Sequence, residues 1–189
     1  MAGFSSSTSP EREARTMSLM YFSNEFPNDD LRGLLRRLQD LGKLREYPLL
    51  ANFVDAATRV LHDEIRKLST GLRSTLPVFD TIFSVADRPE LRKGPLSGSI
   101  DGILLCTLEL GTYIAYAETN RATVDLASST NSLAGLGIGL LAASALSISP
   151  KLDCLPVAAA EIIRVAFRLG TLVYEVSQDL EPTDFIETL

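Results

Sequence analysis

Ser132–Ile148, SLAGLGIGLLAASALSI, is the stretch whose reading decides the fold. It begins with an apolar approach, Leu133-Ala134, and passes through glycines at alternate positions, Gly135, Gly137 and Gly139. A small-residue, helix-favouring run from Leu140 to Leu146 follows. Strand, glycine turn and helix in that order is the layout of a nucleophile elbow. In G-x-S-x-G elbows the glycines permit a strained turn, and the middle residue projects its nucleophile from the top of a sheet. The middle residue here is Gly137. It has no side chain to attack anything, so the stretch reads as an elbow whose nucleophile is missing.

Three other readings compete. A dinucleotide-binding turn requires G-x-G-x-x-G, but position 140 is Leu, and Asp153 and Glu161 come sooner than the usual ribose-binding carboxylate. A membrane span is raised by the absence of charge from Leu126 to Pro150. Ser128, Ser129, Thr130, Asn131 and Ser132 interrupt its first third, and the apolar remainder is shorter than the about 20 residues a bilayer requires. The plainest reading is a buried strand, a turn and a buried helix with no function of their own.

Composition narrows the class. The chain has 189 residues, 46% hydrophobic and 22% charged, as expected of one globular domain with a real core. A formal charge of −6 and a pI near 4.9 argue against nucleic acid as a partner. Arg32, Arg36 and Arg37 still form a local basic surface. Cys106 and Cys154 lack CxxC spacing and sit in apolar contexts, so both are expected reduced and buried, with no metal site. The opening, MAGFSSSTSPEREARTM, has no apolar core and carries Glu11 and Glu13, which fits neither a signal nor a transit peptide. A cytoplasmic protein is expected, with residues 1–16 a disordered tail and residues 17–189 one domain or a portion of a larger one, neither nucleic-acid-binding nor membrane-bound.

Met17–Phe22 is expected to be a buried strand, closed by the turn-forming Ser23-Asn24-Glu25-Phe26-Pro27. Asn28-Asp29-Asp30 supply caps for a helix with a stripe at Leu31, Leu34, Leu35, Leu38 and Leu41 and charges on its other face. Pro48 opens a second helix that runs to about Leu68. His62, the only histidine, is a general-base candidate by residue type, but it reads better as an exposed helical residue among acidic neighbours. Residues 72–94 read as an irregular connector with one apolar element, Val78–Val85. A third helix follows Pro95 and fades near Asn120. A last long helix runs from about Pro156 to Leu180, with Val157, Ala160, Ile163, Ala166, Phe167, Leu169, Val173 and Val176 turned inward and Glu161, Arg164 and Arg168 spaced for ion pairs.

Three blocks together resemble one family: Tyr21-Phe22-Ser23-Asn24-Glu25-Phe26-Pro27-Asn28-Asp29-Asp30-Leu31, Gly135-Leu136-Gly137-Ile138-Gly139-Leu140-Leu141, and Glu161-Ile162-Ile163-Arg164-Val165-Ala166-Phe167-Arg168-Leu169-Gly170. They are similar to the starter-unit acyl-carrier-protein transacylase domain at the N-terminus of fungal non-reducing polyketide synthases, above all those that make atrochrysone carboxylic acid. The resemblance implies an α/β fold, a helix-rich and partial malonyl-transacylase-like acyltransferase with a small parallel sheet and its C-terminal part missing. It implies ping-pong acyl transfer from coenzyme A, through an elbow cysteine, to the phosphopantetheine thiol of a carrier domain, with acyl carrier protein and ketosynthase domains as partners. A backbone N–H after the nucleophile, here that of Ile138, serves the oxyanion.

The chain departs from that pattern in three places. Gly137 stands where the resemblance implies cysteine. Glu25 stands in the loop where active relatives commonly carry Gln, and a carboxylate repels an oxyanion. The chain ends before the expected histidine, and His62 does not match that motif. The expectation is therefore a non-catalytic domain with vestigial oxyanion positions Glu25 and Ile138, no bound cofactor, and acyl-CoA and phosphopantetheine carriers as the family's substrates. Two alternatives remain: transfer through Cys106 or Cys154, and a stand-alone module that binds a carrier or the synthase through Arg32, Arg36 and Arg37.

Overall fold

The computed structural model describes residues 18–27, 30–121, 126 and 131–180. The expected tail, the caps Asn28 and Asp29, and the stretch after Leu180 lie outside these residues. The first strand, β1 (Ser18–Phe22), is followed by α1 (Leu31–Gly42), α2 (Pro48–Lys67), α3 (Thr70–Ser74) and α4 (Ile82–Ala86). A 3-10 turn at Pro89–Lys93 leads into α5 (Ser97–Thr119). Then come β2 (Asn131–Gly135), α6 (Ile138–Ile148), a 3-10 turn at Leu152–Cys154, and α7 (Leu155–Leu180). This is a helix-rich α/β arrangement, with one small parallel sheet pairing Ser18 with Asn131 through Phe22 with Gly135.

Local chemistry explains most helix starts. The side chain of Asp30 accepts from Arg32 N–H at 3.1 Å and caps α1, whose Leu35 and Leu38 are buried. Pro48 occupies the first turn of α2, but Tyr47 makes no side-chain cap. The carboxylate of Glu118, on α5, instead accepts from Leu49 N–H at 2.7 Å and Leu50 N–H at 3.0 Å. A buried anion at a helix N-terminus satisfies two orphan donors and meets the positive end of the dipole.

The core is built around α5, which packs against α7, α2, α6 and α1. Ile100, Ile103, Leu104, Leu110 and Ile114 are fully buried. A helix apolar all round is a core helix or a membrane span, and this one, long and apolar enough to cross a bilayer, is mostly buried in the fold. Small residues let α7 approach: Gly98 and Ser99 meet Gly170, and Ser99 Oγ donates to the Phe167 carbonyl at 2.8 Å.

Several expectations are corrected. β1 is a strand buried on one side only, because Leu19 and Tyr21 are exposed while Phe22 packs inward. Residues 72–94 are not irregular throughout: α4 buries Ile82, Phe83 and Val85, whereas Val78 is exposed. In α7, Ala160, Ile163, Ala166 and Phe167 are inward, but Val157, Leu169, Val173 and Val176 are exposed. Periodicity identifies an apolar stripe, but a stripe is buried only where another element covers it. Cys154 is exposed in its 3-10 turn, while Cys106 is buried and both thiols are free. His62 is half-buried, its ring stacked on Phe79 with centroids 4.6 Å apart.

Candidate functional site: the glycine elbow

Parallel pairing brings the ends of β1 and β2 together, so the loop after Phe22 lies against the turn after Gly135. Leu136 N–H donates to the Phe22 carbonyl at 3.1 Å, and the chain then reverses into α6. Gly137 carries the reversal at φ +53° and ψ −120°, the sole positive φ among the described residues. Any side chain there would be strained. Gly139 is required for a different reason: a Cβ there would lie 2.4 Å from the Phe22 carbonyl oxygen. The elbow inferred from the glycine spacing is therefore present as a strand-turn-helix.

The backbone N–H of Ile138, the expected oxyanion donor, already has a partner. Asn24 Oδ1 accepts from it at 2.8 Å. A Cβ built on Gly137 would lie 2.2 Å from the same oxygen and 2.5 Å from Asn24 Cγ. The Asn24 carboxamide thus occupies the volume into which a side chain at 137 would project. Glu25, the residue singled out by the sequence, is exposed, and its N–H donates to Ser23 Oγ at 3.0 Å.

The loop is held from below by α5. Ser23 N–H donates to Glu109 Oε1 at 2.7 Å, while Glu109 Oε2 is buried without a hydrogen-bond partner. Burial pushes the Glu109 carboxyl up to about 7, against the pull of the Ser23 N–H. Neither Asn24 nor Glu109 was singled out as a site residue from the sequence. The one signal for Glu109 was an acid between Leu108 and Leu110 in an apolar helix.

A carboxyl that holds its proton up to about 7 when folded, against 4.5 as its ordinary value, adds stability fully below 4.5 and loses it as pH rises through 7. Such a displacement is worth at most about 3 kcal/mol, and solvent screening at this half-buried side chain lowers the expected figure to about 1–2 kcal/mol. Glu109→Gln should therefore gain that much on wild type between pH 4.5 and 8 in urea denaturation. Parallel pH curves for the two proteins would refute this.

The other candidates are held elsewhere. Arg32 and Arg36 converge on Asp87, Arg32 through Nε and Arg36 through Nη2 at 3.2 Å, and Arg37 is exposed beside them on α1. The Cys106 thiol is pushed far up by burial, with the Glu109 carboxylate adding to it. His62 is engaged with Phe79. Among the described residues no three His, Cys, Asp or Glu side chains are grouped to hold a metal ion.

A family model described as "Starter unit:ACP transacylase in aflatoxin biosynthesis", SAT for short, matches residues 29–186. The chain belongs to the SAT family. It is 46% identical over 171 residues to a non-reducing polyketide synthase of Pseudocercospora fijiensis, covering 90% of this chain and 10% of that protein. It is 44% identical over 171 residues to an atrochrysone carboxylic acid synthase of Passalora fulva, again covering 90% of this chain and 10% of the relative. With an atrochrysone carboxylic acid synthase of Aspergillus chevalieri the identity is 46% over 166 residues, covering 86% of this chain and 9% of the relative. The chain spans about a tenth of the length of these relatives. Its SAT residues place a glycine, and an asparagine carboxamide above it, at the elbow.

Proposed function

We propose that the SAT residues of this chain have lost acyl transfer of their own and serve a cytoplasmic non-reducing polyketide synthase of the atrochrysone or anthraquinone type. Their role there is structural, packing against the ketosynthase region while the starter unit enters by another route. The observation that carries the reading is Asn24 Oδ1 on the Ile138 N–H, in the space a nucleophile at 137 would need.

Ping-pong transfer requires a thiolate to attack the thioester carbonyl, a donor for the oxyanion, and departure of the coenzyme A thiol. A carrier phosphopantetheine thiol then attacks the acyl-enzyme and frees the elbow thiol. Residue 137 offers no thiol, and the donor is taken. Cys106 is buried and held protonated by its surroundings, so it does not substitute.

Incubation with acetyl- or malonyl-CoA should leave the intact mass of the chain unchanged. A stable acyl adduct on Cys106 or Cys154 would overturn the reading. The double variant Gly137→Cys with Asn24→Gly should acylate faster than Gly137→Cys alone, because only the double variant frees both the volume and the Ile138 N–H. A second role, docking of an acidic acyl carrier protein on Arg32, Arg36 and Arg37, is favoured by the exposure of all three on α1. It requires salt-sensitive binding weakened by Arg37→Glu, and salt-independent binding would exclude it.

A further inference from the structure

We propose that the exposed apolar stripe of α7 is where a second copy of this chain docks, the two helices running antiparallel. Val165, Leu169, Leu172, Val173, Val176 and Leu180 are between 43% and 76% exposed. Steps of four and three residues, through 165, 169, 172, 176 and 180, keep them on one side of the helix, and Val173 widens it. The other side of α7, with Ile163, Ala166 and Phe167, is buried where the helix packs on α5, α2 and α6. The helix thus has two apolar faces, of which the described elements cover one. Apolar side chains scattered singly over a surface need no partner, but a continuous stripe marks an interface. From Glu175 to Leu180 every residue of α7 is exposed, so the end of the helix extends beyond the core. A helix end of that length has little stability of its own and is held by packing against another element.

Spacing and charge select the second copy as the occupant. The stripe is nearly symmetric about Leu172. In an antiparallel pair with Leu172 at the two-fold axis, Leu169 of one copy faces Val176 of the other, and Val165 faces Leu180. The charges along one edge of the stripe follow the same symmetry. Arg164 and Arg168 precede Leu172, and Glu175 and Asp179 follow it, at steps that set Arg168 against Glu175 and Arg164 against Asp179. Within the chain Arg164 and Arg168 share Glu64 with Lys67, and Arg164 also holds Glu161; three bases against two acids leave one positive charge there. The Arg168 side chain is 57% exposed while bonded to Glu64, which leaves part of the guanidinium for a second acid. A parallel pair would instead set Glu175 on Glu175 and Asp179 on Asp179, and the same two acids repel an anionic surface.

The full chain should show a reversible dimer in sedimentation equilibrium. Leu172→Glu should weaken it about a hundredfold, the effect of an unpaired charge at the centre of an interface. Val157→Glu, on α7 but away from the stripe and 68% exposed, should leave it unchanged. Circular dichroism of both variants separates lost association from lost folding. Orientation is read by cross-linking chains that also carry Cys154→Ser, since the Cys154 thiol is exposed. Leu169→Cys and Val176→Cys chains mixed with oxidised glutathione should give the mixed disulfide ahead of either homodimer. The inference is overturned if the chain sediments as a monomer up to its solubility limit, which would leave another part of a synthase to cover the stripe. It is equally overturned by a dimer as tight in Leu172→Glu as in wild type, or by homodimeric disulfides in excess over the mixed one. None of these outcomes reads acyl loading, so this inference and the functional proposal fail separately.

Discussion

Replacing Gly170 by alanine should cost the fold about 3 kcal/mol or more, although alanine is the better helix former by about 1 kcal/mol. A Cβ at position 170 would sit 2.2 Å from Ser99 N, 2.5 Å from Ser99 Cα and 2.6 Å from the Gly98 carbonyl carbon. All three are backbone atoms of α5, so no side chain can rotate away. The helices would have to separate, and with them the Ser99 Oγ to Phe167 carbonyl bond and the packing of Phe167 and Ile100 in the core. Gly98 is the control, since its Cβ would meet the Gly170 Cα at an ordinary 3.8 Å. Gly98→Ala should therefore change stability by less than about 1 kcal/mol or improve it. Urea denaturation of both variants decides the matter: equal midpoints would mean that the crossing is not the constraint described.

Glu64→Ala should be destabilising by about 3 kcal/mol. Glu64 is buried on α2, and its carboxylate accepts from Arg168 Nε at 2.6 Å, Arg164 Nη1 at 2.7 Å and Lys67 Nζ at 2.7 Å. It ties α2 to α7 through two arginines of the longest helix, and Arg164 also holds Glu161 at 2.8 Å. The hydrogen bond from Arg168, with those from Lys67 and Arg164, holds the Glu64 carboxyl down at about 2 against the opposing effect of burial. A depressed carboxyl contributes its full stability above its ordinary value of 4.5 and loses it as pH falls towards 2. Wild type should consequently lose about 3 kcal/mol between pH 5 and 2 from this group, and Glu64→Gln should lack that part of the acid transition. If Glu64→Gln unfolds in acid with the wild-type profile, the network is not what holds α7 to α2.

Glu161 and Arg164, three residues apart, could be paired from spacing alone, and they are paired. Arg168, expected in the same spaced set, pairs instead with Glu64, 104 residues earlier. The inward face of α7 was legible from Ala160 to Phe167 and misleading at Val157 and from Leu169 onward, because hydropathy does not say how far a covering element extends. Cys154 shows the same limit at shorter range, with apolar neighbours in sequence and an exposed position in space.

At the elbow the division is sharpest. The sequence by itself determined the strand, the glycine turn and the helix, since only glycine accepts φ +53° at 137 without strain and the flanking runs have strand and helix character. It also determined α1 and α2 to within a residue or two, through Asp30, Pro48 and their leucine stripes. Only the tertiary structure decided what fills the elbow. Asn24 reaches Ile138 across 114 residues and Ser23 reaches Glu109 across 86, and both contacts exist because parallel pairing sets the ends of β1 and β2 side by side above α5. Periodicity reports the solvent preference of a residue, whereas a hydrogen bond between distant segments depends on where whole elements come to rest.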